Sequence, residues 1–341
     1  MSIWTILLAL LIFSVIIMIH ELGHFAAAKA FGVKVEEFSI GMGPALLHFQ
    51  GKETRYSLRA IPMGGYVQME GEDSESQDPR AFCRQKAWKR FVIVSAGAVM
   101  NLLLGFVVAV AMVSMKGYVG TAQIVRFEEN AQSSQVLQQG DEILSINGSR
   151  IFIDQDIVYT LVRDEDGLVD MTVLRQGEKL QLQVPFATQT LSDGTHVVVL
   201  DFKVLATPQT FFNTIRYGIG WNISVARQVW MTLFDLITGR YGLNQLSGPV
   251  GTTQAIGQAS SYGLGSLLMI VGFITVNLGV FNLLPFPALD GGRLLFLVVE
   301  MIRRRPVPAR YEGYVHAAGF LLLMALMVTV TYQDILRLIA S

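Results

Sequence analysis

Residues 18–25 read Met18-Ile19-His20-Glu21-Leu22-Gly23-His24-Phe25, inside an apolar run that begins at Ile3. Side chains four apart on a helix share one face. His20 and His24 can therefore offer two imidazole nitrogens to one zinc ion. Glu21 then lies beside the metal, placed to take a proton from water there. In a soluble helix, two packing histidines and a stray carboxylate would be explanation enough. Within lipid, three ionisable residues so close together are costly and point to a function.

Composition says that this run lies in lipid. Of 341 residues, 52% are hydrophobic and 16% charged, and mean hydropathy is +0.45. A soluble domain carries about 25% charged residues, so the chain reads as an integral membrane protein with some soluble mass. A net charge of −1 offers nothing to a nucleic acid. Cys83, the single cysteine, allows no internal disulfide. The N-terminal run lacks a basic leader and exceeds the apolar core of a signal peptide, so it reads as a retained helix.

Working outward, the first span runs from Ile3 to Ala30, within a zinc-motif segment of residues 1–32. With hydrocarbon entered near Ile6 and about 1.5 Å per residue, His20 lies roughly 21 Å into a core about 30 Å thick. Residues 33–90 carry both charge signs and much glycine. Val35 to Ile40 and Tyr56 to Ile61 read as short strands beside Gly41, Gly43, Gly64 and Gly65. They suit either a small soluble hairpin or a re-entrant strand loop, which is allowed at depth only where protein covers it. An uncovered edge there can pair with an extended peptide. Glu70 to Asp78 is an acidic linker, and Arg84, Lys86, Lys89 and Arg90 are a basic cluster before the second span, residues 91–116. In that span Gly97, Asn101 and Gly105 recur every four residues, as close helix packing with an interhelical hydrogen bond requires.

Residues 117–203 turn soluble and strand-rich. Gly140-Asp141-Glu142-Ile143-Leu144-Ser145-Ile146-Asn147-Gly148 is a turn, a strand and a second turn, and Asp154 can cap a helix from Gln155 to Arg163. This stretch resembles a PDZ domain. The resemblance implies a groove for an extended peptide, with the 155–163 helix as one wall and Gly117-Tyr118-Val119-Gly120 as a loop for a terminal carboxylate. The alternative is a domain that only plugs access to the membrane site. Residues 204–260 hold an aromatic amphipathic segment (Phe211, Phe212, Trp221, Trp230, Phe234) expected to lie in the membrane interface. Gly248-Pro249-Val250-Gly251 reads as a breaker.

The third span, within residues 261–302, leads into Asn282-Leu283-Leu284-Pro285-Phe286-Pro287-Ala288-Leu289-Asp290-Gly291-Gly292. Asp290 stands where a new helix starts, as an N-cap or as the third ligand that catalytic zinc requires. Glu300 is its nearest rival, expected to pair with Arg303 to Arg305. Residues 303–341 carry a basic loop and the last span, Val315 to Leu338, with His316 at its interfacial edge. Basic clusters in loops 31–90 and 291–314 place both in the cytoplasm and residues 117–203 outside. His24 and Asp290 then lie toward the same side.

With both motifs placed, the chain resembles the site-2 protease family of intramembrane zinc metalloproteases, in the bacterial PDZ-containing branch typified by regulators of sigma-E proteases. The fold expected is an α-helical polytopic membrane protein of about four transmembrane helices. It has a cytoplasmic-side re-entrant β-loop and one inserted extracytoplasmic PDZ-like α+β domain. The resemblance implies one Zn²⁺ on His20, His24 and Asp290, with Glu21 catalytic, in a bacterial inner membrane. Substrates would be single-pass membrane proteins, as cleaved anti-sigma factors or signal-peptide remnants. Asn282, Gly41, Gly43, Gly64 and Gly65 are candidates for holding the unwound substrate, although Asn282 equally suits helix capping around Pro285. Some relatives carry two PDZ domains; this chain has room for one. A non-catalytic adaptor with a structural metal is the alternative. A metal transporter is disfavoured because the second and fourth spans offer almost no further polar groups.

Overall fold

The computed structural model describes residues 2–72, 74–190, 196–240, 242 and 246–340. They form two compact units, residues 1–108 with 228–341, and residues 109–227.

The first unit begins with α1 (Ile3–Ala30). Two long strands follow, β1 (Val35–Gln50) and β2 (Arg55–Met69), then α2 (Ala87–Lys116). The strands are longer than the sequence suggests. Gly41 and Gly43, at φ +83° each, let β1 bend without ending. Its first half, Val35 to Ile40, therefore pairs with Met69 to Gly65, and its second half, Ala45 to Gln50, with Arg59 to Arg55. Phe38 to Ile40 also face Tyr56 to Leu58, so β2's early residues lie between the two halves of β1. The Gly65–Met69 segment is left at the edge. Its Val67 and Met69 join Ala28, Val33, Val35, Ile93 and Leu297 in one apolar core, which ties the hairpin to α1 and α2. Lys29 and Arg80 both bind Glu53 (2.7 and 2.6 Å) at the hairpin turn and hold its carboxyl down to about 2.

The second unit holds β3 (Tyr118–Phe127), β4 (Glu142–Ile146), β5 (Ser149–Arg150), α3 (Asp154–Leu161), β6 (Leu168–Arg175) and β7 (Glu178–Pro185). It continues with β8 (Thr188–Thr190), β9 (His196–Val198) and β10 (Phe202–Pro208). The sheet order is β10-β3-β4-β6-β7, with β5 on β4 and a separate β8-β9 pair. Period-two alternation turns Ile143, Val169, Met171 and Val173 into a core that Ile157 and Leu161 of α3 cover. Next comes α4 (Phe211–Ile237), which buries Tyr217, Trp221, Val225 and Val229 and exposes Phe211, Phe212, Trp230 and Phe234. Buried Asp156 of α3 fastens α4 through Arg227 (2.8 Å) and Ser224.

Residues 248–251 do not break the chain. They start α5 (Pro249–Ser261), with proline at the first helical position, where its missing N–H costs nothing. Then come α6 (Leu264–Leu283), α7 (Asp290–Arg303) and α8 (Ala309–Ala340). The cap that α5 lacks locally comes from α8: Asp334 accepts a bond from the Gly251 N–H at 2.8 Å. Among the described residues, α1, α2, α6 and α8 are long and apolar enough to cross a membrane.

Candidate metal centre

His20 and His24 lie on the buried stripe of α1 with Ile16, Gly23 and Ala28. Their Nε2 atoms are 3.1 Å apart. From the start of α7, Asp290 Oδ2 stands 3.1 Å from His20 Nε2 and 3.3 Å from His24 Nε2. A tetrahedral zinc with bonds of about 2.0–2.1 Å would set its ligand atoms roughly 3.3 Å from one another. The donor spacing therefore fits that ion. Asp290 Oδ2 is buried and makes no formed hydrogen bond. An anionic oxygen and two ring nitrogens converging on one point, away from water, suit a bound cation. No other group of three His, Cys, Asp or Glu among the described residues has such a geometry.

The groups behind the imidazoles select their tautomers. His24 Nδ1 lies 2.9 Å from the Ile93 carbonyl. It donates its proton there and leaves Nε2 free to ligate. His20 Nδ1 faces the side-chain amide of wholly buried Asn101, whose nitrogen is at 3.2 Å and whose Oδ1 has no partner. Turning that amide end for end lets Oδ1 accept the His20 Nδ1 proton, which gives the oxygen a partner and frees Nε2. The expected interhelical bond of Asn101 is thus made to a ring of the site. Asn282, at the end of α6, brings Nδ2 to 3.4 Å from His20 Nε2.

Gly97 of α2 lies directly beneath the rings. A Cβ there would collide with His24 Nε2 and stand 2.8 Å from His20 Cε1. Gly97→Ala is expected to displace the imidazoles, costing about 1–3 kcal/mol by overpacking and lowering zinc content. Metal analysis and thermal unfolding of the purified protein check this; wild-type values for both would refute the packing argument.

A tight turn delivers Asp290. After Pro285 and Pro287, Ala288 adopts φ +72°, and its N–H donates to His316 Nδ1 at 2.9 Å. A Cβ on Gly319, one turn further along α8, would lie 2.7 Å from the Pro287 carbonyl oxygen, so glycine lets α8 close on the turn. His316, read from sequence as interfacial, holds the Asp290 turn. Only its distance to that turn in space marks it. Asp290 is the first helical residue, after Leu289 at the cap position. Glu300 binds Arg90 of α2, not the arginines that follow it.

Glu21 is the next residue after His20 and lies outside the ligand trio. Its Cγ is 3.5 Å from where a Cβ on Gly65 would stand. The β2 edge therefore runs beside the carboxylate. Of the other hairpin glycines, a Cβ on Gly41 would meet the Ile61 carbonyl at 2.6 Å, one on Gly64 the Met42 side chain at 2.7 Å, and one on Gly43 the Ile61 side chain; the nearest neighbours of these three belong to the hairpin itself.

In the second unit, Gly117 ends α2 at φ +75° and Gly120 lies in β3. A Cβ on Gly120 would stand 3.0 Å from Asp154 Cβ, with the Asp154 carboxylate closer still. A carboxylate of the chain itself rests on the stretch that the PDZ likeness assigns to a terminal carboxylate. Burial raises the Asp154 carboxyl above its ordinary range.

The family model of peptidase family M50 matches residues 8–326. A protein of Clostridium acetobutylicum provisionally named a zinc metalloprotease is 36% identical over 338 residues, covering 98% of each chain. A similarly named protein of Clostridium perfringens is 37% identical over 334 residues, covering 97% of this chain and 98% of its own. The regulator of sigma-W protease RasP of Bacillus subtilis is 28% identical over 418 residues, covering 98% of this chain and 99% of its own.

Proposed function

The chain belongs to peptidase family M50 and is a zinc metalloprotease, and from that premise we propose that it hydrolyses peptide bonds within membrane-spanning segments of other proteins. One observation carries the reading. His20, His24 and Asp290 converge at 3.1–3.3 Å on helices of an apolar bundle, with Glu21 beside them. We assign these three residues as the zinc ligands. When bound, the ion lowers the pKa of a water and polarises the scissile carbonyl. Glu21 takes the proton of the attacking water and returns it to the leaving amine. Asn282 is placed to hydrogen-bond the carbonyl as negative charge develops. Helical backbone is self-paired, so the substrate must unwind before attack. The Gly65–Met69 edge has no further strand on it among the described residues and offers its backbone to the extended segment.

The relative RasP is named for sigma-W regulation, which favours a cleaved anti-sigma factor as substrate here, with a signal-peptide remnant as the other form. The charge rule supports a plasma-membrane orientation with loops 31–90 and 291–314 cytoplasmic and residues 117–203 outside. The exposed aromatics of α4 suit the membrane interface. For the 117–203 domain, a PDZ-like module, Asp154 against Gly120 disfavours capture of a free C-terminus and favours control of access.

Reconstituted protein is expected to cut a single-span peptide, to lose that activity with a zinc chelator and to regain it with added zinc. Peptide binding without cleavage in the metal-loaded protein would instead support an adaptor.

A further inference from the structure

The groove along the β2 edge changes character with distance from Glu21. It has a volume of about 520 Å³, within the range of true ligand pockets. It runs from Tyr66, next to Gly65, past Gln68 to Glu70, with Glu36 and Glu72 on its walls. Tyr66, Gln68 and Glu70 alternate with core-facing Val67 and Met69, so they share the open face. From Gly65 to Glu70 the strand advances roughly 17 Å at about 3.3 Å per residue. The side chains that the strand itself offers first, Tyr66 and Gln68, are uncharged, and the charges at this end are matched, Arg59 resting on the Tyr66 ring and pairing with Glu37 at 2.8 Å. The far end is acidic.

The cations nearest these carboxylates are not among the groove's lining residues. Lys34 stands 3.1 Å from Glu70, 3.8 Å from Glu36 and 3.9 Å from Asp78, while Arg293 binds Glu72. One cation, Lys34, thus stands against three carboxylates, and no Lys or Arg is among the described residues that line the groove. Glu36 is the most open of them, with 39% of its side chain exposed.

The direction of the groove matters. Glu70 donates its N–H to the Lys34 carbonyl, just beyond the C-terminal end of α1. That end carries Lys29 and, by the charge rule, faces the cytoplasm. A substrate strand leaving Glu21 along β2 therefore carries its cytoplasmic flank past Glu36, Glu70 and Glu72. Cytoplasmic flanks of membrane spans are rich in Lys and Arg.

We infer that this acidic end is a specificity subsite for a Lys or Arg of the substrate's cytoplasmic flank, about three to seven residues from the scissile bond. The inference rests on the peptidase reading above. A paired strand turns alternate side chains toward one face, so the preference recurs at every second position. Binding there is equal in ground and transition states, so it moves KM more than kcat.

The test uses the full-length protein in liposomes and fluorogenic single-span peptides with one Lys moved stepwise along a Gln flank. Wild type is expected to show a KM about 10-fold lower for the favoured positions than for all-Gln flanks, as one charge-assisted contact allows, with alternation along the scan. Glu in place of that Lys raises KM further. Glu36→Lys is expected to reverse the order, with the Glu-flanked peptide now preferred. Cleavage indifferent to flank charge in wild type would overturn the subsite and leave the peptidase intact. Failure to cut any peptide would overturn the peptidase reading, and the subsite with it.

Discussion

Glu21→Gln is expected to keep its zinc and lose about 10²–10⁴-fold in cleavage rate, the usual contribution of a positioned general base. The carboxylate stands next to His20 in sequence but outside the converging trio, so its loss removes no ligand. Glutamine has the same length and keeps the packing against the β2 edge at Gly65. What changes is one proton acceptor. Zinc analysis and peptide cleavage on one preparation separate the two effects. Zinc retained with cleavage lost assigns the base. Cleavage retained would move that role to another group, and zinc lost would make Glu21 a structural support for the site.

Asp290→Ala is expected to weaken zinc binding by more than about 100-fold, beyond what removing an outer hydrogen-bond partner costs. The reason is geometric. His20 and His24 come from one helix and are fixed relative to each other by 3.6-residue periodicity, but two imidazoles leave the ion half-held. Asp290 supplies the only negative charge in the trio, and it arrives pre-placed by the Pro285–Leu289 turn and the His316 contact. Titration of the apo protein with zinc, read against a competing chelator, measures the loss. Unchanged affinity would place the third ligand elsewhere.

Much of this is legible in the chain because the bilayer simplifies it. A membrane span must be long, apolar and self-bonded, so α1, α2, α6 and α8 stand out from composition alone, and α1 runs from Ile3 to Ala30 as its hydropathy suggests. Elsewhere local signals mislead. Gly248-Pro249-Val250-Gly251 reads as a breaker, yet it opens α5, because the missing cap is Asp334, 83 residues later. Gly41 and Gly43 read as strand ends, yet at positive φ they are bends within β1. Glu300 has three arginines close by in sequence and binds Arg90 instead.

The sequence by itself determines that the protein lives in a membrane and that His20, Glu21 and His24 share one helical turn, since composition and a four-residue spacing are local properties. It also brings Asp290 forward as a candidate, because an acid next to a span's end is conspicuous. Only the tertiary structure decides what meets what. It sets Asp290 Oδ2 within 3.3 Å of both rings, Asn101 against His20, Gly97 beneath the imidazoles, His316 on the Asp290 turn and the β2 edge beside Glu21. Each of these joins segments dozens to hundreds of residues apart. Their proximity comes from the packing of helices and hairpin, and no periodicity within a single segment encodes it.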